Sequence, residues 1–122
     1  MRSVMLCGAA LLWMAVPAAA QDPVKVDPAH HKVEFENDQV RVLRVTLPAG
    51  EKTPAHSHPA GVAVFLNDSQ NRLTVDGKTD APIRKAGGVA ELKASTHVVE
   101  NIGTTTSEVI VIEIKSAAAA KK

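Results

Sequence analysis

Tyrosine is absent from this 122-residue chain, and the other aromatic residues are one tryptophan and two phenylalanines. There are thus no aromatic platforms on which single-stranded nucleic acid stacks. Nor are there the aromatic cages that take up cationic ligands. An excess of one charge is missing too, since 14 basic residues stand against 13 acidic ones. A phosphate backbone needs a basic footprint, so nucleic acid is excluded as a partner. The longest apolar run, Val4 to Val16, stops short of the roughly 20 residues of a membrane-spanning helix. The single cysteine, Cys7, has no partner for a disulfide.

That apolar run has the layout of an export signal. Arg2 precedes it, and Pro17 with the small residues Ala18-Ala19-Ala20 follows it. Residues 1–20 are therefore expected to be a signal peptide, cleaved between Ala20 and Gln21, and the protein to be secreted or periplasmic. Cys7 lies at the front of the run rather than behind it, which argues against a lipid anchor. Cleavage removes Cys7, Trp13 and all three methionines. It also removes Arg2, leaving the mature chain with equal numbers of basic and acidic residues. Such a chain has no covalent staple and must be held by its core. Its length suits one domain of about 100 residues.

The remainder reads as β-structure. Residues 21–32, with Pro23 and Pro28, are expected to form an extended N-terminal arm. From Val33 the pattern has period two: Val33 to Glu36, then Val40 to Leu47 with one slip at Val42-Leu43 that suggests a bulge. Gly61 to Leu66 is a short, continuous apolar strand. Leu73 to Asp76 runs into a hairpin signal at Gly77-Lys78. Val89 to Leu92, His97 to Glu100 and Glu108 to Lys115 complete seven or eight strands. In the last of these, the acid Glu113 falls on the same face as Val109 and Val111. Residues 116–122 read as a disordered tail. This rhythm fits either a closed barrel or an immunoglobulin-like sandwich, and rhythm alone does not separate them.

Five histidines carry the chemistry. His56 and His58 are two apart on an extended segment, so both side chains take one face, with Cα atoms roughly 6–7 Å apart. Two imidazoles so placed can converge on one cation at about 2.0–2.1 Å. His30 and His31 are adjacent, face opposite ways and cannot both serve one site. They are read as surface residues on the arm, and Arg41 and Arg44 as strand-edge residues.

Gly50, His56 and His58, followed by His97 and Asn101, resemble the two motifs of the cupin family. The resemblance extends over Val33 to Lys115. It implies an all-β, double-stranded β-helix barrel over residues 33–115. It further implies that His56, His58 and His97 hold a divalent metal ion, iron, zinc, nickel or manganese. Asn101 is then the candidate to engage the second ring nitrogen of a ligating histidine. The chain departs from the family pattern at several points. Val62 and Ala63 stand where a ligating glutamate belongs, Ser69 and Gln70 where a glycine closes the first motif, and Leu92 to Thr96 lacks the usual Pro and Gly.

Three classes of function follow. The first is a metal-dependent enzyme acting on a small molecule: iron would point to a dioxygenase, and zinc, nickel or manganese to an isomerase or hydrolase. The second is a non-catalytic module of the cell envelope that binds a small molecule or a metal. The third is a metal-free structural barrel, dimeric through its N-terminal arm. No general acid or base stands beside the histidines in sequence, which favours a binding module over a hydrolase.

Overall fold

The computed structural model describes residues 21–115; the expected signal peptide and C-terminal tail lie outside them. One helical turn, α1 (Pro23–Val26), precedes ten strands: β1 (His31–Glu36), β2 (Val40–Leu47), β3 (His56–His58), β4 (Gly61–Phe65), β5 (Ser69–Val75), β6 (Lys78–Asp80), β7 (Ile83–Arg84), β8 (Val89–Leu92), β9 (Ser95–Asn101) and β10 (Ser107–Ile114). They form two antiparallel sheets. One runs β1-β2-β10-β4-β8; the other runs β3-β9-β5-β6, with β7 also paired to β5. The two sheets make the double-stranded β-helix.

The expected arm is not simply extended. Asp22 caps α1 by accepting from Val24 N at 3.0 Å, with Pro23 at the first helical position where its missing N–H costs nothing. β1 begins at His31 rather than at Val33. The bulge expected at Val42-Leu43 is not in that strand, which pairs residue for residue with β10; the extra residue is Glu34 on the partner strand, between Val33 and Phe35. The β5–β6 hairpin turns on Asp76-Gly77, both at positive φ (49° and 74°). Asp-Gly at both centres is the usual chemistry of a two-residue turn that matches strand twist.

Period-two alternation places one set of side chains inside. On β10, Ser107, Val109, Val111 and Glu113 are buried while the residues between them are partly exposed. Leu43, Ala63, Phe65, Val109 and Val111 form the apolar core, with Val45, Ala90 and Leu92 against it. Each large side chain so buried contributes about 1.5–3 kcal/mol. Polar residues are buried as well: Asp27, His31, Thr53, His56, His58, His97, Asn101, Ser107 and Glu113. Buried polar groups cost free energy unless they are paired, so their partners mark where the barrel does something other than pack.

Candidate metal centre

β3 is three residues long, and its alternation buries His56 and His58 while Ser57 turns away to meet the Thr96 hydroxyl at 2.6 Å. Antiparallel pairing with β9 sets His56 directly opposite His97. The His56 and His97 rings lie 4.6 Å apart between centroids, His56 and His58 5.0 Å, and His58 and His97 5.2 Å. The three histidines singled out from sequence therefore share one inner face.

A fourth histidine joins them. His31 is 3% exposed, and its ring lies 4.9 Å from His56 and 6.1 Å from His58. One ring nitrogen from each of His31, His56 and His58 lies within 4.8 Å of the other two. Sharing one ion at about 2.1 Å per bond requires them to draw in by roughly an ångström. The reading of His31 as a surface residue is thus corrected. It heads β1, pairs with Val45 and takes the inward position. The alternation argument itself stands, because only His30 points away. His30 sets Nδ1 2.8 Å from Asp27 and Nε2 2.7 Å from Glu51.

Each inward ring has Nδ1 engaged from behind. In His56 it faces the Pro54 carbonyl at 2.9 Å, and in His58 the Glu113 carboxylate at 2.6 Å. In His31 it faces Asp27, backbone and carboxylate, at 3.2 Å, and in His97 the Ser95 hydroxyl at 3.1 Å. For His31, His56 and His58 the partner can only accept, which selects the tautomer with its proton on Nδ1 and leaves the Nε2 lone pair for a ligand, as in metal-bound histidines.

In three of these rings, His31, His56 and His97, the surroundings disfavour the charged form. Burial, then the neighbouring imidazoles, pushes His97 down to about 3. Burial, then His56, takes His31 to about 4. His56 is lowered for the same first reason. Burial opposes ionisation of Glu113, but hydrogen bonds from His58 and Arg41 outweigh it and hold the carboxyl below its usual range.

Two further sequence readings are corrected. The Asn101 side chain hydrogen-bonds to no histidine. Its Nδ2 donates to the Leu47 and Thr105 carbonyls at 2.8 Å, and its Oδ1 accepts from Gly103 N at 3.0 Å, so it organises the chain reversal after β9. Arg41 is an inner-face residue rather than a strand edge. Its Nε donates to Glu113 at 2.6 Å and its Nη2 to Asp22 at 2.7 Å. A chain Asp22–Arg41–Glu113–His58 therefore runs from the start of α1 to the site. Glu113 was legible as an acid on an otherwise apolar face, although nothing in sequence aimed it at His58. Where the resemblance calls for a glutamate, Ala63 is the buried, inward residue and Val62 faces outward.

The histidines open onto a cavity of about 180 Å³ inside the barrel, walled by Val45, Leu73, Val99, Val109 and Val111 among others. No known protein-family profile matches the chain, and no curated protein sequence does. Solved structures do. A cupin domain from Bordetella pertussis Tohama I aligns at 24% identity and a TM-score of 0.66, covering 70% of this chain and 92% of that one. An RmlC-like cupin family protein with a double-stranded β-helix fold, from Methanocaldococcus jannaschii, aligns at 18% and 0.59, covering 79% and 90%. A cupin 2 conserved barrel domain protein from Salinispora arenicola CNS-205 aligns at 17% and 0.58, covering 91% and 93%.

Proposed function

The chain has the cupin fold, and on that frame we propose that it is an exported protein whose histidines bind a divalent metal ion at the head of a small-molecule cavity. The observation that carries the reading is a set of buried rings with Nδ1 held from behind, three of which bring ring nitrogens within 4.8 Å of one another. His56 and His58 with His31 supply the closest nitrogens, and His97 stands across from His56. Neutral imidazole suits zinc, iron, nickel and copper, whereas manganese prefers oxygen ligands. The set therefore favours the first group.

A bound ion would supply Lewis acidity to a ligand atom at the top of the cavity. The residues do the rest. Glu113, Asp27, Ser95 and the Pro54 carbonyl fix ring orientation, and the apolar walls suit an apolar ligand body. Asp27 and Glu113 are each committed to holding a histidine. Neither is free to act as a base, which supports ligand binding at the ion over hydrolysis. Turnover of a bound small molecule, as by a dioxygenase or isomerase, is the alternative reading.

The test is metal analysis and melting of protein exported without a tag. A metal that binds only the folded state stabilises it by about 2.7 kcal/mol at one hundred times its dissociation constant. We expect near-stoichiometric metal, a melting temperature that rises with it, and loss of that rise in His56→Ala but not His30→Ala. A melting temperature indifferent to zinc, iron and nickel would replace this reading with a structural barrel.

A further inference from the structure

The inner face of β10 has two polar ends. Glu113 meets His58 at one, and Ser107 Oγ accepts from Asn71 Nδ2 at 2.9 Å at the other. Six residues at about 3.3 Å each put these ends roughly 20 Å apart along the strand. Val109 and Val111 lie between them and face the cavity.

The second end holds unmet polar groups. β5 and β7 set Ser69 opposite Arg84, and Asn71 follows Ser69 on the same face of β5. Ser69 Oγ, Asn71 Oδ1 and Arg84 Nε are the buried side-chain polar atoms that find no partner among the described residues. Each such atom costs about 1–3 kcal/mol, and the two on residues that face the cavity, on Asn71 and Arg84, call for a partner there. Arg84 lies over the Phe65 ring at 5.0 Å. Among the described residues, Arg41, Arg44 and Arg72 form ion pairs and Arg84 forms none. Asn71, Arg84 and Phe65 line the cavity, whereas Ser69 lies behind them on the same sheet face and does not.

We propose that this end of the cavity binds the carboxylate of a small acid with an apolar body. Arg84 donates to the carboxylate, and Asn71 Oδ1 accepts from a hydroxyl on the adjacent carbon. A cavity of about 150 Å³ accommodates benzene, so about 180 Å³ admits one ring or a short chain with its head group. Asp80 and Glu91 also line the cavity and repel further negative charge, so the ligand is a monoacid. The proposal rests on reading the barrel as a small-molecule receptor, but not on the metal.

Calorimetric titration of the exported chain with mandelate, phenylacetate, benzyl alcohol and phenylmalonate tests it, in protein as purified and again in EDTA. Mandelate should bind at least about tenfold more tightly than benzyl alcohol, as expected for a hydrogen bond to a charged group. Phenylmalonate should bind more weakly than phenylacetate. Arg84→Met keeps the aliphatic stem over Phe65 and should erase the preference for acid over alcohol. Asn71→Leu should erase the advantage of mandelate over phenylacetate. Equal binding of acid and alcohol, binding of no probe, or an Arg84→Met protein that retains the preference would each overturn the proposal. If that variant does not fold, the ranking of probes on the unaltered protein decides. Acid binding that persists in EDTA stands even if the metal reading fails, and a metal-dependent melting temperature stands even if every probe is ignored.

Discussion

At the scale of single residues, Glu113 separates holding a ligand from being one. It is 2% exposed, and its two oxygens are shared between His58 and Arg41. Glu113→Gln keeps the shape while weakening both contacts. Loss of such an orienting partner typically lowers metal affinity about 10–100-fold, which competition with a chromogenic chelator would measure. Protonation gives a second expectation. His31 and His97 titrate near 4 and 3 when folded, against about 6.5 unfolded. Between those values the unfolded chain binds more protons, so stability of the metal-free protein should fall as pH drops from about 6.5 toward 4. Glu113, held below its usual range, adds loss in the same direction at still lower pH. His30 acts oppositely. Burial opposes its protonation, but its bonds to Glu51 and Asp27 raise it, so its contribution is present below about 6.5 and fades as pH rises. Its partner Glu51 is exposed, which makes that term small. Melting temperature of the EDTA-treated protein between pH 4 and 8 checks the sign, and His97→Ala should flatten the acid limb.

At the scale of strands, β4 lies against β10 so closely that one position tolerates no side chain. A Cβ on Gly61 would sit 2.0 Å from the Ile112 carbonyl oxygen. Gly61→Ala must therefore push the two strands apart beside Glu113, and overpacking of this kind costs roughly 1–3 kcal/mol. For a domain of this size each kcal/mol lowers the melting temperature by about 4–8 °C, so a drop of that order or larger is expected on thermal denaturation. Ala63, two residues on, faces inward beside the cavity. Ala63→Glu buries a carboxylate and should lower the melting temperature of the metal-free protein. It should also widen the gap between metal-free and metal-loaded forms, because the new acid can join the ligand set.

At the scale of the molecule, the barrel does not begin where the strand pattern becomes regular. Asp27 orients His31, and Asp22 pairs with Arg41 behind Glu113, so the segment before β1 supports the site from two directions. A chain starting at Gln21 should fold and bind metal like exported protein. One starting at Val33 loses His31 and both aspartates and should lose the metal-dependent rise in melting temperature. Under the proposed export, the intact mass of the protein should show a terminus at Gln21. A mature form retaining Trp13 would refute the cleavage site.

Local pattern by itself determined the β-class, most strand positions and the turn at Gly77, because each depends on neighbours within a few residues. It also marked His56, His58 and His97, since their spacing against Gly50 and Asn101 is a linear feature. Only the tertiary structure decided the rest. His31 became an inner residue because β1 pairs with β2 from His31 onward, and a strand's register is invisible in its own composition. Asn101 proved to brace a chain reversal because the carbonyls it serves, Leu47 and Thr105, are brought to it from two other segments. Glu113 acquired its role across 55 residues of sequence, and the unmet atoms of Ser69, Asn71 and Arg84 meet on one face through β5–β7 pairing. Sequence sets which faces are inner and outer; closure of the barrel sets which inner residues meet.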